Sequence, residues 1–282
     1  MASDLEKARD GIAIVGELIK IAGDDPSVKE AAGNLGKAAL TLSRTINNAL
    51  LPLAAVNFAF DKAKNYFSEK FEQDISEKAK NIPKDFLVEP RALIAGAALQ
   101  GLAFAHEDAS LREMFLNLLA TSMDSRRSAH AHPAFVEIIK QLDSQEAVLL
   151  TEFLTSRKSY PVGPIGWLRR MEPDGFGYVD IKRHVLNFAD TETGQPKEIL
   201  GMTVMVENWI RLGLVVVEYG PFLKGDENYT WLEKRPEFLV AKAENNEKKK
   251  KIAWEKGNIR VTELGISFSK AIGVGDDESV VG

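Results

Sequence analysis

The chain has 282 residues, 45% of them hydrophobic and 27% charged, a globular composition long enough for one large or two ordinary domains. It contains no cysteine, which excludes disulfide scaffolds, thiol catalysis, cysteine-ligated zinc and iron–sulfur clusters. Lys plus Arg number 36 and Asp plus Glu 41, for a net charge of −5, so no global basic field exists to attract nucleic acid.

The first 80 residues read as amphipathic helices. Leu5, Ala8, Ile12, Val15, Ile19 and Ala22 recur at steps of three and four, one helical face. Gly23-Asp24-Asp25-Pro26 breaks that helix, and Ser27 with Glu30 has the spacing of a capping box for the next. Val28, Ala31, Leu35, Ala38, Leu42 and Ile46 line the second helix. After Pro52 a third stripe runs Leu53, Val56, Phe60, Ala63, Phe67, Phe71. Asp4, Glu6 and Asp10 precede the short apolar stretch Ile12–Val15, which is not the basic start of a secretory signal. The longest apolar run, Ala92–Ala105, falls short of the roughly 18 to 20 residues that span a bilayer. The expected location is cytoplasmic, with peripheral contact at the inner membrane as an option.

A Pro-punctuated connector, Asn81–Pro90, leads to a helix from Arg91 to about Ala105. It is apolar nearly all round and therefore expected at the centre of a bundle. Ser110 and Glu113 predict a capping box for a helix to Met123, with Leu111, Met114, Phe115, Leu118 and Leu119 on one face. Pro133 sits where a first helical residue belongs, with His132 as its cap. Phe135, Ile138, Ile139 and Leu142 form the inner face there. Asp143 and Glu146 open a further helix carrying Ala147, Leu150, Phe153 and Leu154.

Composition shifts near Ser156. Tyr160–Tyr178 is rich in Gly and Pro. Beyond it a helix through Met202, Val206 and Trp209 stops at Gly213. Leu214–Tyr219 and Asn258–Thr262 read as strands, and Thr262 caps a final helix with Leu264, Phe268, Ala271 and Ile272. Helix, strand, wing, strand and helix look like a winged-helix domain. The fold expected is mainly α with a smaller α+β part. Residues 1–80 form N-terminal helices, 81–155 a helical core bundled with them, 156–272 the winged-helix-like part and 273–282 a frayed tail.

Chemistry-bearing patterns are few. His130-Ala-His132 has a metal-pair spacing, but no third ligand accompanies it and His132 has a capping role to fill. The sequence has no Gly-x-Ser-x-Gly elbow, His-Glu-x-x-His helix, Walker A loop or Gly-x-Gly-x-x-Gly fingerprint, and Gly163-Pro-Ile-Gly166 lacks the Lys-Ser/Thr of a phosphate loop. No catalytic residue, metal, cofactor or small-molecule substrate is therefore expected. Lys248, Lys249, Lys250 and Lys251, with Arg260, stand where a wing would be and are the candidate contact to nucleic acid or another anionic surface. A solvated charged loop is the plainer reading.

Three segments carry a resemblance: Leu87-Val-Glu-Pro90, Leu111-Arg-Glu-Met-Phe-Leu-Asn-Leu-Leu-Ala-Thr-Ser-Met123, and His132-Pro-Ala-Phe-Val-Glu-Ile-Ile-Lys-Gln-Leu-Asp-Ser-Gln-Glu-Ala147. Together with Leu50-Leu-Pro-Leu53 they resemble the Abi-alpha family, bacterial proteins associated with abortive infection, over about residues 45–155. The resemblance implies a bacterial or prophage-encoded protein in defence against phage, in which an infected cell is stopped before the phage completes its cycle. It brings no catalytic residue. Its marker positions, Asn117, His132, Pro133, Phe135 and Gln141, read as packing, capping and contact residues. Asn117 is the polar exception in an apolar helix, expected as a hydrogen bonder or interface contact. The function expected is therefore a non-enzymatic phage-defence protein acting through protein–protein or membrane-surface contacts, self-association included. The alternative is a winged-helix DNA-binding regulator.

Overall fold

The structure, a computed structural model, describes residues 41–42, 45–46, 57–172, 177–246 and 251–274. The helices expected over 5–22 and most of 28–46, the start at Pro52, Lys248–Lys250 and most of the tail lie outside the described residues. The chain is α plus β and divides into two compact units. One holds residues up to Glu152 together with those from Ser267; the other is Phe153–Ile266.

In the first unit α1 (Asn57–Glu69) and α2 (Phe71–Ala79) are followed by α3 (Ala92–Ala105), α4 (Ala109–Met123), α5 (Pro133–Ile139) and α6 (Ser144–Ser156), whose last residues belong to the second unit. The expected third helix bends at Lys70, so Phe71 opens α2 instead of continuing α1. Spacing hid the bend because Phe67, Phe71 and Ile75 keep a step of four through it. Tyr66 ties the two helices, its hydroxyl donating to Asp74 Oδ2 at 3.0 Å. Helix α3 buries Ile94, Ala95, Ala98, Leu99 and Leu102. Its Gly101 is required by close approach to α4, since a Cβ there would stand 2.4 Å from the Phe115 ring.

The cap of α4 is Asp108, not Ser110. Asp108 Oδ1 accepts the backbone N–H groups of Ser110 and Leu111, each at 3.0 Å, and the Ser110 hydroxyl at 2.7 Å. A carboxylate two residues earlier outcompetes the hydroxyl, and Glu113 pairs with Lys78 of α2 instead of reaching back. Leu87 in the connector is buried and bridges Asp124 at the end of α4. His132 caps α5 as expected, its Nδ1 accepting from Ala134 N at 3.1 Å. Phe135, Ile138, Ile139, Leu142, Ala147 and Leu150 are all buried.

The second unit holds a four-stranded, wholly antiparallel sheet in the order β2-β1-β4-β3. Strand β1 (Val162–Met171) arises from the Gly/Pro-rich segment, where no strand was expected. Pro164 is tolerated because β2 (Tyr178–Val185) reaches β1 only from Gly166 onward, so no bond is lost on that side. The edge strand β2 slips register twice, between Gly166/Leu168 and Leu168/Arg169, and carries Asp180, Lys182 and Arg183.

Helix α7 (Met202–Arg211) stops at Gly213, whose φ of +74° suits glycine. Strand β3 (Val215–Tyr219) follows. Where a short wing was expected, the chain instead makes a 3₁₀ segment, Asp226–Lys234, and then α8 (Pro236–Asn246). The strand expected over Asn258–Thr262 is the end of a longer β4 (Ile252–Val261), in which Glu255-Lys256-Gly257 interrupts the apolar signal. Thr262 opens α9 (Glu263–Ala271), its hydroxyl accepting from Gly265 N at 3.0 Å.

Arg235, just before α8, is 2% exposed. It forks onto Glu237 at 2.9 and 3.1 Å and donates to the Phe188 and Lys197 carbonyls at 2.7 Å each. One guanidinium thus ties the loop after β2 to the start of α8. Arg235→Ala leaves Glu237 buried without a partner and should lower unfolding free energy by about 3–5 kcal/mol in urea denaturation. The double change Arg235→Met/Glu237→Leu should recover most of that loss. Equal losses in the two variants would show that the ion pair itself is not what matters.

Candidate functional site

The family-marker residues of the first unit take structural positions. Asn117, half-buried on α4, donates from Nδ2 to the Ile272 carbonyl at 2.9 Å. One turn on, the Thr121 hydroxyl donates to the Ala271 carbonyl at 3.0 Å, and an Arg127 N–H reaches the Lys270 carbonyl at 3.0 Å. These three donors meet consecutive carbonyls at the end of α9, which a helix leaves without internal partners. Phe135 packs edge-on against Phe268 with centroids 5.5 Å apart. Gln141 is exposed, its Nε2 on the Glu137 carbonyl at 2.7 Å. His132 and Pro133 form the start of α5 and gather no ligand set. Among the described residues no three His, Asp or Glu side chains stand together as a metal site. Asp124, 2% exposed, sits nearby. Burial works against its charge, but the Arg126 guanidinium and backbone N–H outweigh that and hold the carboxyl below its usual value.

The densest polar cluster lies in the second unit, on residues that sequence reasoning did not single out. His184, near the end of β2, has φ +56°, a conformation costly for a residue with a Cβ. Two elements hold it there. Its Nε2 is 2.9 Å from Glu207 Oε1 on α7, and its Nδ1 is 3.1 Å from the Tyr219 hydroxyl at the end of β3. The same hydroxyl accepts the His184 backbone N–H at 3.1 Å. The imidazole is 3% exposed. Burial pushes its pKa below the ordinary histidine value, and Glu207 pulls upward without overcoming it. Burial likewise pushes the Tyr219 phenol upward. A neutral ring that donates from Nε2 to Glu207 and accepts the Tyr219 proton at Nδ1 satisfies every partner.

Trp167 on β1 extends the cluster, 5.1 Å from the Tyr219 ring. The guanidiniums of Arg169 and Arg183 lie 3.3 and 4.4 Å from its centroid. Arg169 also bridges Asp180 on β2, at 3.2 Å, and Glu255 on β4, clamping three strands. Both imidazole nitrogens are engaged and Arg169 is matched by two carboxylates, so the cluster ties strands together, while the Glu207 carboxylate, 51% exposed, faces solvent beside the buried ring.

Beside it an open groove of about 570 Å³ runs between β2, the lead-in to α7, and α8. Its charges are largely matched in pairs: Lys182 with Glu198, Asp180 with Arg169, Glu237 with Arg235. Of the candidate basic residues, Lys251 just before β4 and Arg260 near its end are exposed; Lys248, Lys249 and Lys250 fall outside the described residues. The signal that would have exposed this cluster is cross-strand pairing. Without β1 and β2 in hand, residues 23 and 35 positions from His184 have no reason to be associated with it.

Because folded His184 is held neutral while an unfolded histidine protonates near pH 6.5, the unfolded state binds the extra proton first. Stability is full above about pH 6.5 and falls as pH drops below it, by up to about 1.4 kcal/mol per pH unit. Thermal melts of wild type and His184→Asn between pH 8 and pH 5.5 should show the smaller decline in the variant; parallel declines would remove His184 as the cause. Asn117→Ala strips one donor from the end of α9 and should cost about 1 kcal/mol, read by chemical denaturation.

No curated protein and no solved structure matches the chain. The sequence profile of the family described as "Abortive infection alpha" matches residues 63–272. That span runs from within α1 to the residue whose carbonyl Asn117 holds, crosses both units and covers well over half of the chain: this protein belongs to the abortive infection alpha family.

Proposed function

We propose that this chain is a non-enzymatic phage-defence protein of the abortive-infection type, acting in the bacterial cytoplasm or at the inner surface of its membrane through protein–protein or membrane-surface contacts. Membership of the family supports the defence role. The observation that carries the contact reading is large apolar side chains exposed on regular elements: Leu93 and Phe104 on α3, Leu200 and Val204 at and beside the start of α7, Leu239 and Val240 on α8. Such side chains, when grouped, mark interaction surfaces. In this reading the N-terminal helices form a bundle with α1–α6, and no residue makes or breaks a substrate bond. Among the described residues no helix is long and apolar enough to cross a membrane, so a membrane role would be peripheral.

Phage plating tests this. Cells carrying the wild-type gene should form fewer plaques than cells without it. Leu200→Lys/Val204→Lys, checked for an unchanged melt, should weaken protection, whereas Glu207→Gln and Tyr219→Phe should retain it. The reverse pattern would point to a chemical centre around His184 and sink the contact reading.

A second reading, a DNA-binding regulator, is favoured by one arrangement. Helix α7 is followed by the antiparallel neighbours β3 and β4, with the 3₁₀ segment and α8 between them in the chain, and then by α9; Lys251 just before β4 and Arg260 within it are exposed. It predicts salt-dependent DNA binding that weakens when Lys248–Lys251 become Ser. Binding indifferent to that change excludes this surface.

A further inference from the structure

We propose that His184 is a proton-operated latch: its neutral ring closes a bulge of β2 onto α7 and β3, and a proton on the ring opens that bulge while the rest of the sheet stays paired.

The bulge is written into the register. From Gly166 to Leu168 β1 takes two steps, whereas β2 takes three between their partners Val185 and Lys182. Arg183 and His184 therefore stand together opposite Trp167. A bulge residue with positive φ is ordinarily glycine; here it is His184, at +56°. Its side chain compensates for that backbone conformation. Nε2 meets Glu207 Oε1 at 2.9 Å, and the Tyr219 hydroxyl meets both Nδ1 and the main-chain N–H at 3.1 Å. A second tie lies one residue back, where the Thr203 hydroxyl donates to the Arg183 carbonyl at 2.8 Å.

Only an uncharged ring fits these partners well. The Tyr219 hydroxyl accepts the main-chain N–H and gives its own proton to Nδ1. A proton on Nδ1 puts two donors on that one oxygen. It also turns the phenol hydrogen toward the Gly166 carbonyl, 3.5 Å away and at the outer limit of a hydrogen bond. The ring is 3% exposed, so solvent does little for its charge. The charges that act on it are Glu207 on α7 and Arg183 on β2. Tyr219 on β3 is uncharged, and Glu255 on β4 and Arg169 on β1 are paired with each other. Arg183 repels a cation. Glu207 attracts one, but it is 51% exposed and solvent weakens its pull. Burial outweighs it and holds the ring below the ordinary histidine value. The imidazolium is therefore better placed in water, and once the ring leaves, nothing sustains the positive φ. The bulge opens, and with it the wall of the neighbouring groove that Lys182, Arg183 and Thr203 line. This opening is local and precedes global unfolding.

Hydrogen exchange on the full-length protein reads the latch, followed by mass spectrometry at pH 7.5 and 5.5 and corrected for the intrinsic effect of pH on amides. An open ring titrates near pH 6.5, so protection over residues 180–187 should fall about tenfold between the two. Protection over β4, an interior strand of the sheet, should hold. His184→Asn accepts a positive φ with little strain and carries no proton-dependent charge, so its protection over 180–187 should not respond to pH. His184→Gly suits the same backbone without a ring, and serves the comparison if the Asn variant does not fold; it too should show no response. Wild-type protection that ignores pH overturns the proposal. So does an equal fall over β4, which is global unfolding, or a pH response that persists in the variants. The contact reading is independent of all these outcomes.

Discussion

A helix that ends inside a protein leaves carbonyl oxygens with no donors of their own, and the end of α9 is where this chain meets that demand most fully. Asn117 and Thr121, one turn apart on α4, and Arg127 in the loop after it supply three donors to the carbonyls of Ile272, Ala271 and Lys270. Phe268, one turn earlier on α9, packs against Phe135 of α5. Residues far apart in the chain are thereby fixed to one another through main-chain polarity as well as apolar burial. At its other end, within the second unit, α9 is held by Thr262, whose hydroxyl donates to the Gly213 carbonyl at 2.6 Å and accepts from Gly265. The family profile ends at Ile272, the last of the carbonyls so engaged.

Legibility followed the range of the interactions. The cap at His132, the apolar stripe of α5 and the stop at Gly213 depend on residues a few positions apart, and spacing reveals them. Asn117 could be recognised as a polar residue needing a partner, but its partner, 155 positions away, could not. Strand β1 escaped because its Gly and Pro residues read as loop; only the pairing pattern around Pro164 explains why they are tolerated. The segment expected as a wing hid α8, whose start depends on a buried Arg235–Glu237 pair. The His184 cluster was invisible for the same reason as β1: its members come from β2, α7 and β3, and no local pattern joins them.

The two units differ in how they treat polar groups. In the second, charge is gathered inward or across strands and matched: Arg235 with Glu237, Arg169 with Asp180 and Glu255, His184 with Glu207. Such matching rigidifies a small sheet whose core is otherwise built around Trp209 stacked on Phe153 at 5.6 Å. In the first unit the notable feature is the opposite, an uncharged helix with one side unoccupied among the described residues.

The double slip of register along β2 bears on how the rim of the sheet can be approached. Regular backbone groups at the rim of a sheet invite another strand to continue the ladder, and from there a growing fibre. Here the rim is kinked, charged at Asp180, Lys182 and Arg183, and partly occupied by Thr203, whose hydroxyl donates to the Arg183 carbonyl at 2.8 Å. Strand-by-strand growth is blocked at that side. The β2 rim therefore offers no regular ladder for a further strand to extend.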